Sequence, residues 1–189
     1  MLRIPLHATV QNCARLGGVV PELDELLAAG RVSQGDDVLD KTAFSMLAAP
    51  GLLERLGGSG GQGQERGQKK RWTVALLGVE AHVCISQTAL ALQRAGHDAY
   101  VLADGVGSAN RGEVHVALDR LAAQGWRRWS SEDDNNDNKG SITVTSSEAF
   151  LFEVMRDAAV PEFRDVLRIV KDAAADTAAA MAMLEGGRN

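Results

Sequence analysis

The run Trp72-Thr73-Val74-Ala75-Leu76-Leu77-Gly78-Val79 constrains this chain more than any other stretch. A continuous apolar segment of this length fits a strand buried on both faces, as strands of parallel sheets are. The sequence after it alternates in period. A helix is predicted from about Val83 to Ala95, a strand from Ala99 to Ala103, a helix from about Arg111 to Gln124 and a strand from Ser141 to Thr145. The order β-α-β-α-β predicts an α/β fold of three layers, α-β-α, around a mostly parallel sheet. Such sheets carry their sites at the carboxyl ends of the strands.

Flanking segments extend this pattern. Ile4 to Val10 reads as a strand that begins almost at the first residue, and Pro21 to Leu27 as a short helix with early acids and Gly30 as its stop. Pro50 to Leu56 has helical spacing. Ser146 or Ser147 can cap a helix whose Phe150, Leu151, Val154 and Met155 share a face, and Pro161 opens a further helix through Lys171. The alanine-rich tail, about 174–189, is expected to be helical. Two stretches cannot join a core and read as surface insertions: 57–70, made of glycine, glutamine, serine and charge, and 131–140, rich in acids and asparagine.

With 189 residues and 45% hydrophobic content, one domain spanning 1–189 can bury a core without disulfides or metals. The formal charge of −5 supplies no cationic field for a phosphate backbone, so nucleic acid is not an expected partner. Trp126 and Trp129 beside Arg127 and Arg128 read as a loop packed on the sheet rather than a stacking platform. Met1 to Val10 is broken by Arg3, Pro5 and His7, and no run reaches the roughly 20 apolar residues of a membrane span, so neither signal nor anchor is expected. The two cysteines, Cys13 and Cys84, have no metal-ligand spacing, which points to a reducing, cytoplasmic setting with the mitochondrion left open.

Cys84 is the residue with chemical promise. It follows the turn Gly78-Val79-Glu80-Ala81-His82-Val83 at the end of the strongest strand, in the first turn of the next helix. Unpaired N–H groups and the positive end of the dipole favour a thiolate there. Position alone equally suits a buried structural thiol.

The segment Gly78 to Ile85, followed by Gln87-Thr88-Ala89, resembles the nucleophile segment of isochorismatase-like cysteine hydrolases. The resemblance extends to Leu102-Ala103-Asp104-Gly105 with Ser108 and Arg111, to Thr145-Ser146-Ser147-Glu148, and to Lys41-Thr42-Ala43-Phe44-Ser45. It covers most of Ile4 to Lys171 and runs nearest to the eukaryotic isochorismatase domain-containing proteins. It implies a Rossmann-like fold with Cys84 as nucleophile and Lys41 as the neighbouring cation. A cis peptide between Val79 and Glu80 and an oxyanion hole from the backbone N–H groups of Glu80 and Cys84 follow in the same way, as does a substrate pocket that includes Asn12 and Phe44. The substrate would be a small amide or related acyl compound. No cofactor is implied, and no catalytic metal, because His7, His82, His97 and His115 do not reproduce the Asp-x-His set of metal-binding nicotinamidases. Cys13 reads as an incidental loop cysteine, and His82 is open between pocket and structural roles.

The family's third catalytic residue, an aspartate ending a first strand, has no counterpart here. Asp36, Asp37 and Asp40 fall on the wrong strand. The resemblance therefore implies a chain that lacks the central strand with its aspartate, through a mistaken start codon or alternative splicing. Two readings follow: a cysteine hydrolase, impaired by that loss, and a non-catalytic relative that serves in interaction or oligomerisation. Homo-oligomerisation itself stays open.

Overall fold

The computed structural model describes residues 4–29, 38–52, 71–130 and 139–186. They group into two compact units, Leu2–Gln68 and Lys69–Asn189. The fold is α/β, and every strand pairing among the described residues is parallel.

In the first unit, β1 (Thr9–Gln11) pairs with β2 (Leu39–Lys41) in the register Thr9↔Leu39, Val10↔Asp40 and Gln11↔Lys41. The strand predicted over Ile4 to Val10 is thus shorter and displaced. Strand structure exists only where a partner offers a ladder, and the backbone pairing begins at the Leu39 N–H to Ala8 carbonyl bond of 3.0 Å. Two helices follow β1, α1 (Cys13–Leu16) and α2 (Pro21–Ala29). After β2 comes a 3-10 turn, Met46–Ala48, in which the Leu47 N–H donates to the Ser45 hydroxyl oxygen at 3.3 Å. Of the helix predicted over Pro50 to Leu56, residues 53–56 lie outside the described residues, as does all of 57–70.

In the second unit, β3 (Thr73–Val79), β4 (Asp98–Gly107) and β5 (Ile142–Thr145) form one sheet in that order. They are joined by α3 (Ser86–Arg94) and α4 (Gly112–Ser130). Helices α3 and α4 touch each other as well as the sheet, as two successive crossovers in one direction place them on the same face. On β4, Ala99 and Val101 are fully buried, while the intervening Tyr100 points the other way, its ring 5.3 Å from Phe150 of α5 (Ser147–Met155). Helix α5, with α6 (Phe163–Asp172) and α7 (Ala174–Gly186), covers that second face and completes three layers. The side chain of Ser146 caps α5 by accepting from the Ala149 N–H. Of the predicted apolar stripe on α5, Phe150 and Met155 are buried and Val154 is exposed.

Three expectations need correction. The first concerns β3, which was expected to be buried on both faces: Leu76 is buried, but Leu77 and Val79 are 53% and 68% exposed, because alternate residues of a strand face opposite sides and only one side here is covered. Second, β4 runs four residues beyond Ala103, to Gly107. Its register against β3 jumps from Leu76↔Val101 to Gly78↔Val106, two residues against five, so Leu102-Ala103-Asp104-Gly105 bulges and the ladder resumes past it. Third, α4 does not stop at Gln124 but continues to Ser130. The side chains of Trp126 and Trp129 and residues 131–138 lie outside the described residues.

Candidate active site

The carboxyl end of β3 carries the candidate nucleophile. The Val79–Glu80 peptide is cis, where the resemblance put it. The helical turn that follows differs in kind from the α-turn expected. Ala81–Ile85 is a π turn, in which the Glu80 carbonyl accepts from both Val83 N–H and Ile85 N–H at 3.2 Å, and α3 proper begins only at Ser86. Cys84 is the fourth residue of this turn and is partly buried. Neither Cys84 nor Cys13 forms a disulfide.

Two buried hydroxyls hold the far side of the turn. Ser86 Oγ donates to the Ala81 carbonyl at 2.8 Å, and Thr88 Oγ1 donates to the Cys84 carbonyl at 2.7 Å. Such bonds satisfy carbonyls that a widened turn would otherwise leave misaligned. The near side meets the loop after β4: Ala81 N–H donates to Ser108 Oγ at 3.2 Å, His82 Nδ1 lies 3.0 Å from the same oxygen, and Ala109 N–H donates to Glu80 Oε2 at 2.8 Å. His82 also has the Glu80 carboxylate at 3.9 Å. His82 is thus a partner of the turn's own scaffold. In the sequence, Thr88 and Ser108 stand out only through the family resemblance, and Ser86 does not stand out at all. A polar residue four or five places after another helical position, on a face otherwise apolar, is the signal that could have found Ser86 and Thr88.

The bulge in β4 has its own consequence. Asp104 leaves the ladder and receives Ser147 N–H at 2.7 Å and Ser147 Oγ–H at 2.5 Å, which sets a carboxylate at the amino end of α5. The family-like segments at 102–105 and 145–148 meet through this pair.

In the other unit, Lys41 ends β2 and is 6% exposed. Its ammonium donates to Gln11 Oε1 at 2.6 Å and to the Ala43 carbonyl at 3.1 Å. Gln11 Nε2 in turn donates to the Thr42 carbonyl at 2.6 Å, so one amide orients both the lysine and the chain after it. Gln11 is a residue the sequence did not mark, although a polar side chain at the carboxyl end of a parallel strand is where one would look. Asn12 adopts a left-handed conformation, φ 48°, and its N–H donates to the Lys41 carbonyl at 2.8 Å. Asp40 Oδ1 accepts from Cys13 N–H at 3.0 Å, a structural duty. Phe44 is half exposed, and Cys13 is exposed. Lys41, Gln11 and Asn12 thus come together in one unit, and Glu80, His82, Cys84 and Ser108 in the other.

Among the described residues, no group of three His, Cys, Asp or Glu side chains could hold a metal ion, and no helix is long and apolar enough to cross a membrane. A cavity of about 60 Å³ lies among α5, α6 and α7, bordered by Leu151, Ile169 and Thr177, and none of the candidate residues lines it.

The fold and this turn define an α/β protein that presents a cysteine on a π turn at the carboxyl end of a parallel strand. The isochorismatase domain matches residues 4–133, and the chain belongs to that family. It is similar to the secreted isochorismatase effector Isc1 of Phytophthora sojae, 30% identical over 172 residues, which are 91% of this chain and 69% of that protein. It is also similar to isochorismatase domain-containing protein 1 of Salmo salar, 32% identical over 179 residues, 94% of this chain and 51% of that one, so the chain spans about half of that relative's length. Among solved structures, one described as a MAR1 ribonuclease from Caenorhabditis elegans superposes with a TM-score of 0.64 at 26% identity, over 88% of this chain and 69% of that one.

Proposed function

We propose that the protein hydrolyses a small amide or related acyl compound through a thioester at Cys84. The observation that carries this reading is the placement of Cys84 in a helical turn at the carboxyl end of β3, its carbonyl fixed by Thr88 and its entry fixed by the loop after β4. In this scheme the thiol proton leaves to solvent, and the thiolate attacks the acyl carbon and forms a C–S bond. The oxyanion is met by the backbone N–H groups of Glu80 and Cys84, and its collapse expels the amine, which takes up a proton. Water then cleaves the thioester and restores the thiol. Lys41 is proposed to take the role of the family's lysine on the strength of family membership. Asn12 and Phe44 are proposed to contact substrate.

The test is a screen of small amides with the parent chain and with Cys84→Ala, Cys84→Ser and Lys41→Met. Turnover should vanish in both Cys84 variants and fall roughly 10²-fold in Lys41→Met. Iodoacetamide should modify Cys84 faster than Cys13 at one fixed pH, and modify it more slowly in Lys41→Met. Preferential labelling of Cys13, or turnover that survives Cys84→Ala, would sink the assignment.

A further inference from the structure

We infer that Ser108 is a positioning residue for the Cys84 turn, acting through the backbone of Glu80 to His82. The inference rests on Cys84 being the nucleophile. The parallel ladder between β3 and β4 ends with Val79 opposite Gly107, so the next residues, Glu80 and Ser108, leave the sheet side by side. From that place the Ser108 hydroxyl oxygen accepts the Ala81 N–H at 3.2 Å and meets His82 Nδ1 at 3.0 Å. The neighbouring Ala109 N–H donates to the Glu80 carboxylate at 2.8 Å. Three consecutive residues of the turn are therefore tied to two consecutive residues of the loop. The far side of the turn has its own ties, from Ser86 and Thr88, and does not depend on Ser108.

This division makes Ser108 specific in what it controls. Without its hydroxyl, two of the three ties at the turn's entry are lost, while the ladder, the Glu80 to Ala109 tie and the ties at Cys84 remain. The thiol keeps its access to solvent, but the Glu80–Ala81 peptide loses its anchor at the Ala81 N–H, and the Glu80 N–H beside it loses part of its fixed direction. Ser108 should therefore govern acyl transfer, which needs the Glu80 N–H aligned on an oxyanion, far more than simple alkylation, which does not.

The two reactions can be read on one thiol. With p-nitrophenyl acetate, the thiolate attacks the acetyl carbon, a C–S bond forms, the bond to oxygen breaks, and p-nitrophenolate leaves and is seen by its absorbance. With iodoacetamide, the thiolate displaces iodide and no oxyanion arises. Both rates at Cys84 are measured in the full chain for the parent, Ser108→Ala, Ser108→Thr and Ser108→Val, with Tyr100→Phe as a variant that loses a hydrogen bond elsewhere on β4. Ser108→Ala is expected to slow acylation roughly tenfold or more while alkylation changes less than about twofold. Ser108→Thr should restore acylation, and Tyr100→Phe should leave both rates alone. Should Ser108→Ala not fold, Thr against Val decides, since the two have the same shape and differ in the hydroxyl. Equal slowing of both reactions, or none of either, overturns the positioning role and leaves Cys84 in place. A parent chain whose Cys84 is alkylated but never acylated overturns the nucleophile reading, and this inference with it.

Discussion

Asp98 binds together the amino ends of three strands. It opens β4, and its carboxylate takes Arg71 Nε–H at 2.7 Å and Arg71 Nη2–H at 2.6 Å from just before β3, and the Ser141 N–H at 2.8 Å and the Ser141 hydroxyl from just before β5. Burial pushes its pKa up, but Arg71 and Ser141 together outweigh burial and hold it at about 2, below the usual 3.8. A carboxylate depressed on folding contributes stability that is complete above its unfolded value and is lost as pH falls through its folded value. The window is therefore about pH 4 down to about pH 2. Asp98→Asn should lower stability at pH 7 by about 1–2 kcal/mol, toward the lower figure because Arg71 is part exposed to solvent. Near pH 2 the same variant should cost almost nothing relative to the parent. Denaturant unfolding at both pH values checks this, and an equal loss at both would show that the charge of Asp98 is not what binds the strands.

Helix α4 shows which element boundaries a sequence conceals. The helix is expected from the sequence to end at about Gln124, yet Gly125 lies inside it. A Cβ at Gly125 would stand 2.2 Å from the Ile142 carbonyl oxygen, so the glycine exists to let α4 lie against β5. That is a tertiary requirement, invisible in local pattern. Gly125→Ala should therefore destabilise by about 1–3 kcal/mol, although alanine is the better helix former by about 1 kcal/mol. A thermal melt unchanged or raised in this variant would reject the contact. The strands and helices of the second unit were legible because apolar runs and helical spacing are local, and so was Cys84 at the end of β3. The π turn was not, because a bond from Ile85 back to Glu80 leaves no mark in residue type. Nor was the tie from Ser108 to that turn, which exists only through the register of Val79 against Gly107. Gln11 at the Lys41 ammonium depends in the same way on the pairing of β1 with β2.

For the whole molecule the remaining discrimination is between partner classes. Membership of the isochorismatase family implies a small-molecule substrate, whereas a structure at TM-score 0.64 is described as a ribonuclease. Binding to a phosphate backbone draws most of its free energy from cations that release counterions, and affinity then falls steeply with salt. This chain has 20 basic residues against 25 acidic ones and a net charge of −5, so its net charge supplies no attraction for a phosphate backbone. The thioester chemistry proposed for Cys84 also gives no route to phosphodiester cleavage, since it proceeds by attack on an acyl carbon. We therefore predict that the full chain neither retains single-stranded RNA at about 150 mM salt nor cleaves it, while Cys84 is acylated by p-nitrophenyl acetate under the same conditions. Gel-based cleavage and fluorescence anisotropy with a labelled RNA oligomer, beside the acylation assay, decide the matter. RNA cleavage that is lost in Cys84→Ala would overturn the small-molecule reading and make the cysteine a nuclease residue. Cleavage that survives Cys84→Ala would leave the acyl chemistry standing and require a second site for RNA, away from this turn.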